Sequence, residues 1–238
     1  MIGQWGFRQL LGLLIFLVLA TALLLSCSDT RHTDPDLDYA VDRKSTDDPS
    51  EFMCADRGTP DALIDYVEHA YSSEYALLYR DALHTLFLFE FTDDVADSLG
   101  LPPDQPWWGK TDELASAINM FNGAEVTRVK LSLARMGEWT PCVDPRPGSS
   151  PDTLYGQFAR FMPDISVTIE RPGEEPIILM VDNSYIDIIV VPDPRFRGLW
   201  TVARMQEIYK TPAALPIRGS RGVMTASTSW GEIKALFR

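Results

Sequence analysis

Residues 165–208 read ISVTIERPGEEPIILMVDNSYIDIIVVPDPRFRGLWTVARMQEI. Ile165, Val167 and Ile169 alternate with polar residues. Arg171-Pro-Gly-Glu-Glu175 then turns the chain, and Ile177, Leu179 and Val181 alternate again. A period of two belongs to a half-buried strand, because successive side chains leave opposite faces of a sheet. Residues 186–191 read as the next strand, 192–198 as a turn and 199–208 as a long final strand. Upstream, Val129, Leu131 and Leu133 alternate with Lys130 and Ser132, residues 137–152 form a Pro/Gly-rich insertion, and 154–161 read as strand.

The first half has a different period. Thr59-Pro60-Asp61 is a helix start: a capping hydroxyl, a proline whose missing N–H costs nothing in the first turn, and an acid at the positive end of the dipole. Leu63, Ile64, Val67, Ala70 and Tyr71 follow at helical spacing. Ser72-Ser73 restarts the pattern, and Tyr75, Leu78, Tyr79, Ala82, Leu83 and Leu86 form a second stripe. The aromatic run Leu86-Phe-Leu-Phe-Glu-Phe91 reads as the first strand, and 93–99 as a short helix. Thr111 caps a third helix carrying Leu114, Ala115, Ile118, Met120 and Phe121, which Gly123 stops. Helices first and strands afterwards imply an α+β fold with helices on one face of an antiparallel sheet.

That order of elements resembles the nuclear transport factor 2-like superfamily, with its ketosteroid isomerase-like and SnoaL-like (polyketide cyclase-like) members. The resemblance covers residues 59–208. Its most specific piece is the final strand, where Trp200 and Val202 precede polar Arg204, Gln206 and Glu207. It implies a curved antiparallel sheet wrapped around the N-terminal helices, the cystatin-like cone, with an apolar pocket inside and a homodimer as one arrangement. Residues 209–238 are then a C-terminal extension. Because one fold hosts many activities, the resemblance assigns no reaction. Ketosteroid isomerase chemistry needs a carboxylate base and a tyrosine donor. Tyr75 or Tyr79 offers the phenol and Asp182 or Asp187 the carboxylate, but no motif fixes their geometry. Both tyrosines equally suit a core-facing helical stripe.

The N-terminus carries separate information. Residues 1–26 hold one cation, Arg8, no acid, and an apolar run from Leu10 to Leu25 that is short for a membrane span. That is the layout of an export signal. Leu24-Leu25-Ser26-Cys27 resembles the bacterial lipobox, which implies acylation of Cys27 and cleavage before it; an uncleaved anchor and an ordinary secretory signal are the alternatives. More than one acyl chain is needed for stable attachment. Residues 27–58 follow as the lipidated cysteine and an acidic flexible tether, with nine Asp/Glu, three Lys/Arg and few aliphatics in 28–56. The expected location is the bacterial cell envelope, on its periplasmic or outer-membrane face. Without residues 1–26 the chain keeps 20 Lys+Arg against 34 Asp+Glu. Such an acidic balance argues against nucleic acid as a partner and leaves membrane attachment to the lipid.

Other chemistry is sparse. Cys54 and Cys142 remain beside Cys27. Outside the cytosol they either pair, closing a long loop worth about 4–5 kcal/mol in the chain-entropy model, or stay as two unrelated thiols. The three histidines lack ligand spacing, so no metal is expected, and no P-loop, dinucleotide fingerprint or G-x-S-x-G appears, so no cofactor is expected. Trp107-Trp108, in a Pro-rich loop, either lids a pocket or binds a partner, or one of them plugs the cone. Asp182 and Tyr185 lie in a polar interruption of an apolar stretch, either a bulge facing the pocket or a solvent-facing bend. Three functions compete: a non-catalytic module binding a small apolar ligand or an envelope protein, a lyase or isomerase using a carboxylate and a tyrosine, and a structural envelope protein. A cavity with a converging carboxylate and donor would favour the enzyme.

Overall fold

The computed structural model describes residues 57–146, 154–181, 184–209, 218–220 and 223–238. Cys27, Cys54 and Asp182 lie outside them, as do residues 1–26. No helix among the described residues is long and apolar enough to cross a membrane.

Helix α1 (Pro60–Ser72) starts as its sequence dictates: Thr59 Oγ1 accepts the Ala62 N–H at 3.2 Å, with Pro60 and Asp61 in the first turn. It buries Leu63, Ile64, Val67, Ala70 and Tyr71. Helix α2 (Ala76–Ala82) stops earlier than its apolar stripe, and Leu83 and Leu86 belong instead to strand β1 (Leu83–Glu90). The stop has a physical cause in the side chains that take the helix's terminal carbonyls. Asp81 O accepts from Arg57 Nη1 at 2.6 Å and Arg195 Nη2 at 3.1 Å, Ala82 O from Thr201 Oγ1 at 2.8 Å, and Leu83 O from Lys110 Nζ at 2.7 Å. Three cations thus sit at the negative end of the α2 dipole.

Helix α3 (Asp93–Ser98) and the short strand β2 (Trp107–Gly109) lead into helix α4 (Lys110–Asn122). Helix α4 begins one residue before the expected cap Thr111, with Gly109 in the cap position. Gly123 does end it, but at φ −57° rather than in the left-handed region. Close approach is the reason for glycine there: a Cβ would lie 3.0 Å from Val126 Cγ2.

The sheet contains β3 (Val126–Arg135), β4 (Thr140–Val143), β5 (Leu154–Ile169), β6 (Ile177–Val181), β7 (Ser184–Pro192), β8 (Trp200–Tyr209), β9 (Arg218–Ser220) and β10 (Val223–Thr228), besides β1 and β2. Its order is β2-β1-β8-β7-β5-β6-β10-β9, with β3 and β4 also paired to β5. Most pairs are antiparallel, while β1/β8 and β10/β6 are parallel. The result is the expected α+β cone: a strongly curled sheet around N-terminal helices. Strand β4 occupies part of the insertion read as loop. β5 runs unbroken through Pro163, where the sequence suggested two strands. Phe161 faces Ile186 of β7 and Ile165 faces Val181 of β6, so β5 pairs with both strands along one edge. Pro163 pairs with Leu133 of β3 within this strand.

Among the described residues β3 pairs with β5 alone, and α1 together with the turn that follows it covers its outer edge. The N–H groups of Leu133, Leu131 and Val129 donate to Glu68 Oε1, Ser72 Oγ at 3.2 Å and Glu74 Oε1 at 3.1 Å. Side chains here do the work of a missing neighbour strand. The chain ends in helix α5 (Trp230–Leu236), which carries a complete capping box between Ser229 and Glu232. Its Trp230, Ile233 and Lys234 are fully buried in the core. Burying Ile233 alone stabilises by roughly 1.5–3 kcal/mol.

Candidate functional site

A fully buried polar cluster centres on Glu113, in the first turn of α4. Glu113 is 0% exposed, and so is Lys234 of α5. Glu113 Oε1 accepts from the Tyr79 hydroxyl and from Lys234 Nζ, and Oε2 accepts from Trp108 Nε1 at 3.0 Å. Lys234 Nζ also donates to the Tyr71 hydroxyl at 3.3 Å. Aromatic faces complete its surroundings, with Nζ 4.5 Å from the Phe89 ring centroid, 5.0 Å from Trp230 and 5.9 Å from Tyr71. Tyr71 and Tyr79 meet edge to face at 4.7 Å. An ammonium ion here gains a carboxylate and ring quadrupoles together.

Burial sets the electrostatics. It draws the Lys234 ammonium below its ordinary range, and the Glu113 charge opposes that fall. Burial, reinforced by the Glu113 charge, pushes the Tyr71 and Tyr79 phenols well above theirs, so both remain neutral, Tyr79 donating to Glu113 and Tyr71 accepting from Lys234. Nearby, Glu207 of β8 accepts the Trp230 and Gly231 N–H groups at 2.8 and 3.0 Å, anchoring the N-terminus of α5. Its carboxyl is raised by burial. Gly231 is required: a Cβ there would stand 2.7 Å from Glu207 Oε2 and 2.8 Å from Phe91 Cδ1.

A second polar cluster lies where α2 hands over to β1. Asp193 pairs with Arg195 at 2.9 Å and Arg57 at 3.6 Å, and Asp144 pairs with Arg146. His84 Nδ1 accepts the Leu86 N–H at 3.0 Å, while Arg146 Nη1 lies 2.8 Å from Nε2. Burial, with Arg146 beside it, lowers His84 to about 4. Burial and Arg195 lower Lys110 to about 8. Since these cations are committed to helix carbonyls and carboxylates, the cluster reads as a structural clamp.

The sequence candidates separate accordingly. Tyr79 and Trp108 enter the interior cluster, whereas Tyr75, at the cap position of α2, is half-buried. Trp107, 37% exposed, points to the surface, and Trp108 is buried, so the two tryptophans divide their roles. Tyr185 sits half-buried on β7, with the Arg160 guanidinium 5.8 Å from its ring centroid. Asp187 takes a two-pronged bond from Arg160, at 2.6 and 2.8 Å, as an outward strand residue would. Asp182 lies outside the described residues. Cys142 is half-buried on β4, and its candidate partner Cys54 is outside the description. Glu113, Lys234 and Tyr71's polar role were missed. The α4 stripe was mis-phased, since Glu113, Ser116 and Ala117 are buried while Ala115 is exposed. The signal available for α5 was Ser229-Trp-Gly-Glu232, a capping-box pattern.

No family model matches this chain and no curated protein matches it. Among solved structures, it is similar to a conserved protein from Planctomyces limnophilus DSM 3776, at 13% identity and TM-score 0.42, covering 63% of this chain and 94% of that one. It is also similar to a nuclear transport factor 2-like superfamily protein from Salmonella enterica serovar Typhimurium, at 11% identity and TM-score 0.39, covering 64% and 89%. ActVI-ORFA from Streptomyces coelicolor is similar at 7% identity and TM-score 0.39, covering 62% and 92%.

Proposed function

We propose that this chain is a lipid-anchored, extracytoplasmic binding module that works without catalysis. One observation carries the second half: Glu113, at zero exposure, has both oxygens taken by Tyr79, Trp108 and Lys234, and the buried Glu207 spends both of its oxygens on the Trp230 and Gly231 N–H groups. A general base needs a free lone pair, and both Glu113 oxygens are held by donors: Tyr79, Trp108 and the ammonium that occupies the site. The first half rests on residues 1–27 as a lipoprotein signal with Cys27 as the attachment point, and on an acidic chain that needs acyl groups to stay at an anionic membrane.

The test is native mass spectrometry of the full chain produced in a bacterium and extracted from membranes in detergent, beside Cys27→Ser. The expected wild-type product starts at Cys27, carries acyl chains, and holds a molecule or protein that denaturation releases; Cys27→Ser moves to the soluble fraction. A soluble, unacylated wild-type chain would sink the anchor. A membrane-bound chain that carries nothing would sink the binding role.

A further inference from the structure

Lys234 Nζ is fully buried between a carboxylate and three aromatic rings. The carboxylate of Glu113 is oriented by Tyr79 and Trp108, which come from α2 and β2 and owe nothing to α5. Phe89 and Tyr71 supply rings from β1 and α1. A pre-oriented anion with aromatic faces around it is a receptor for an organic cation. The cation in it is delivered by the last helix of the chain, seven residues long. A buried ion pair is a poor stabiliser compared with apolar residues of the same volume, so stability alone does not account for this one.

We propose that the cone interior is a binding site for the ammonium group of an organic amine, and that Lys234 occupies it as an internal competitor. It rests on the binding-module reading and gives that module its ligand class. The ligand's ammonium takes the Nζ position, bonding Glu113 and the Tyr71 hydroxyl, while α5 withdraws with Trp230. No covalent bond changes. To withdraw, α5 and the residues after it must release the bonds from Ser116 Oγ to Lys234 O at 3.0 Å, Asn119 Nδ2 to Phe237 O at 2.9 Å and Arg238 Nη1 to Leu99 O at 3.0 Å, the Glu207 bonds to the first turn, and the Trp230 ring contacts with Tyr71 and Phe89. Its buried Trp230 and Ile233 set the cost of opening, so an effective ligand must bring apolar surface as well as charge.

The probe is n-butylammonium chloride, the length of a lysine side chain, with 1-butanol as the uncharged control. In wild-type full chain, the amine is expected to raise hydrogen exchange at residues 230–236 in proportion to its concentration, about tenfold at roughly ten times its Kd for the opened form, and butanol is not. In Lys234→Ala, the same amine refills the vacated space and raises Tm by about 5–10 °C at saturation. Should that variant fail to fold, the wild-type exchange experiment decides alone. No amine-specific exchange in wild-type overturns the proposal, whether or not Lys234→Ala is rescued. Failure here leaves the native mass of the membrane-extracted protein unchanged, so the ligand class and the binding-module reading fail separately.

Discussion

At the scale of single residues, the interior is organised by charges that a hydrophobicity pattern reads as surface. Glu113 lies one position before Leu114, and Lys234 follows Ile233, so each looks like the polar flank of an apolar stripe. Burial reverses that reading only because each meets the other, 121 residues away in sequence. Tyr79 was legible as a core or pocket residue; the identity of its acceptor was not. His84 gives a pH prediction at the same scale. Its folded value of about 4 lies below the ordinary 6.5, so the unfolded chain binds more protons between those values. Stability contributed by neutral His84 is therefore complete above pH 6.5 and lost as pH falls toward 4, with a slope of at most about 1.4 kcal/mol per pH unit. Urea unfolding from pH 7 to pH 4 should show this component, and His84→Asn should lack it. An unchanged profile in the variant would assign the acid sensitivity elsewhere.

At the scale of elements, starts were clearer than stops. Thr59-Pro60-Asp61 fixed the beginning of α1 because all three signals act within one turn. The end of α2 depended on Arg57, Arg195, Thr201 and Lys110, which reach it from distant segments, and no local pattern contains them. β4 was hidden for a related reason: it is four residues long and holds its place by pairing with β5. The covered edge of β3 is the element-level feature with a direct consequence. Glu68→Ala with Glu74→Ala strips two acceptors and leaves strand N–H groups unpaired at an open edge. Each lost bond should cost about 1–3 kcal/mol. The variant is expected to form dimers or larger assemblies in light scattering at concentrations where wild-type stays constant. A destabilised variant that does not self-associate would show that α1 shields the edge by bulk alone.

At the scale of the whole molecule, the α+β cone was legible because its strand half keeps a period of two and its helical half a period near 3.6. The resemblance that follows from this order ends at residue 208, yet β10 adds to the sheet beside β6 and α5 enters the core. Those thirty residues carry no long periodic run, and their importance appears only when Trp230 and Lys234 are seen inside. At the centre of the molecule the interior closes on the Glu113–Lys234 pair. A double-mutant cycle by urea unfolding tests it, using Glu113→Gln, Lys234→Met and the two combined. Either single change leaves a buried charge without its partner and should cost about 3–5 kcal/mol. The double variant should cost clearly less than the sum, with a coupling of about 2 kcal/mol or more. Additive losses would mean that the two side chains do not meet in the folded protein, and would contradict the closed interior.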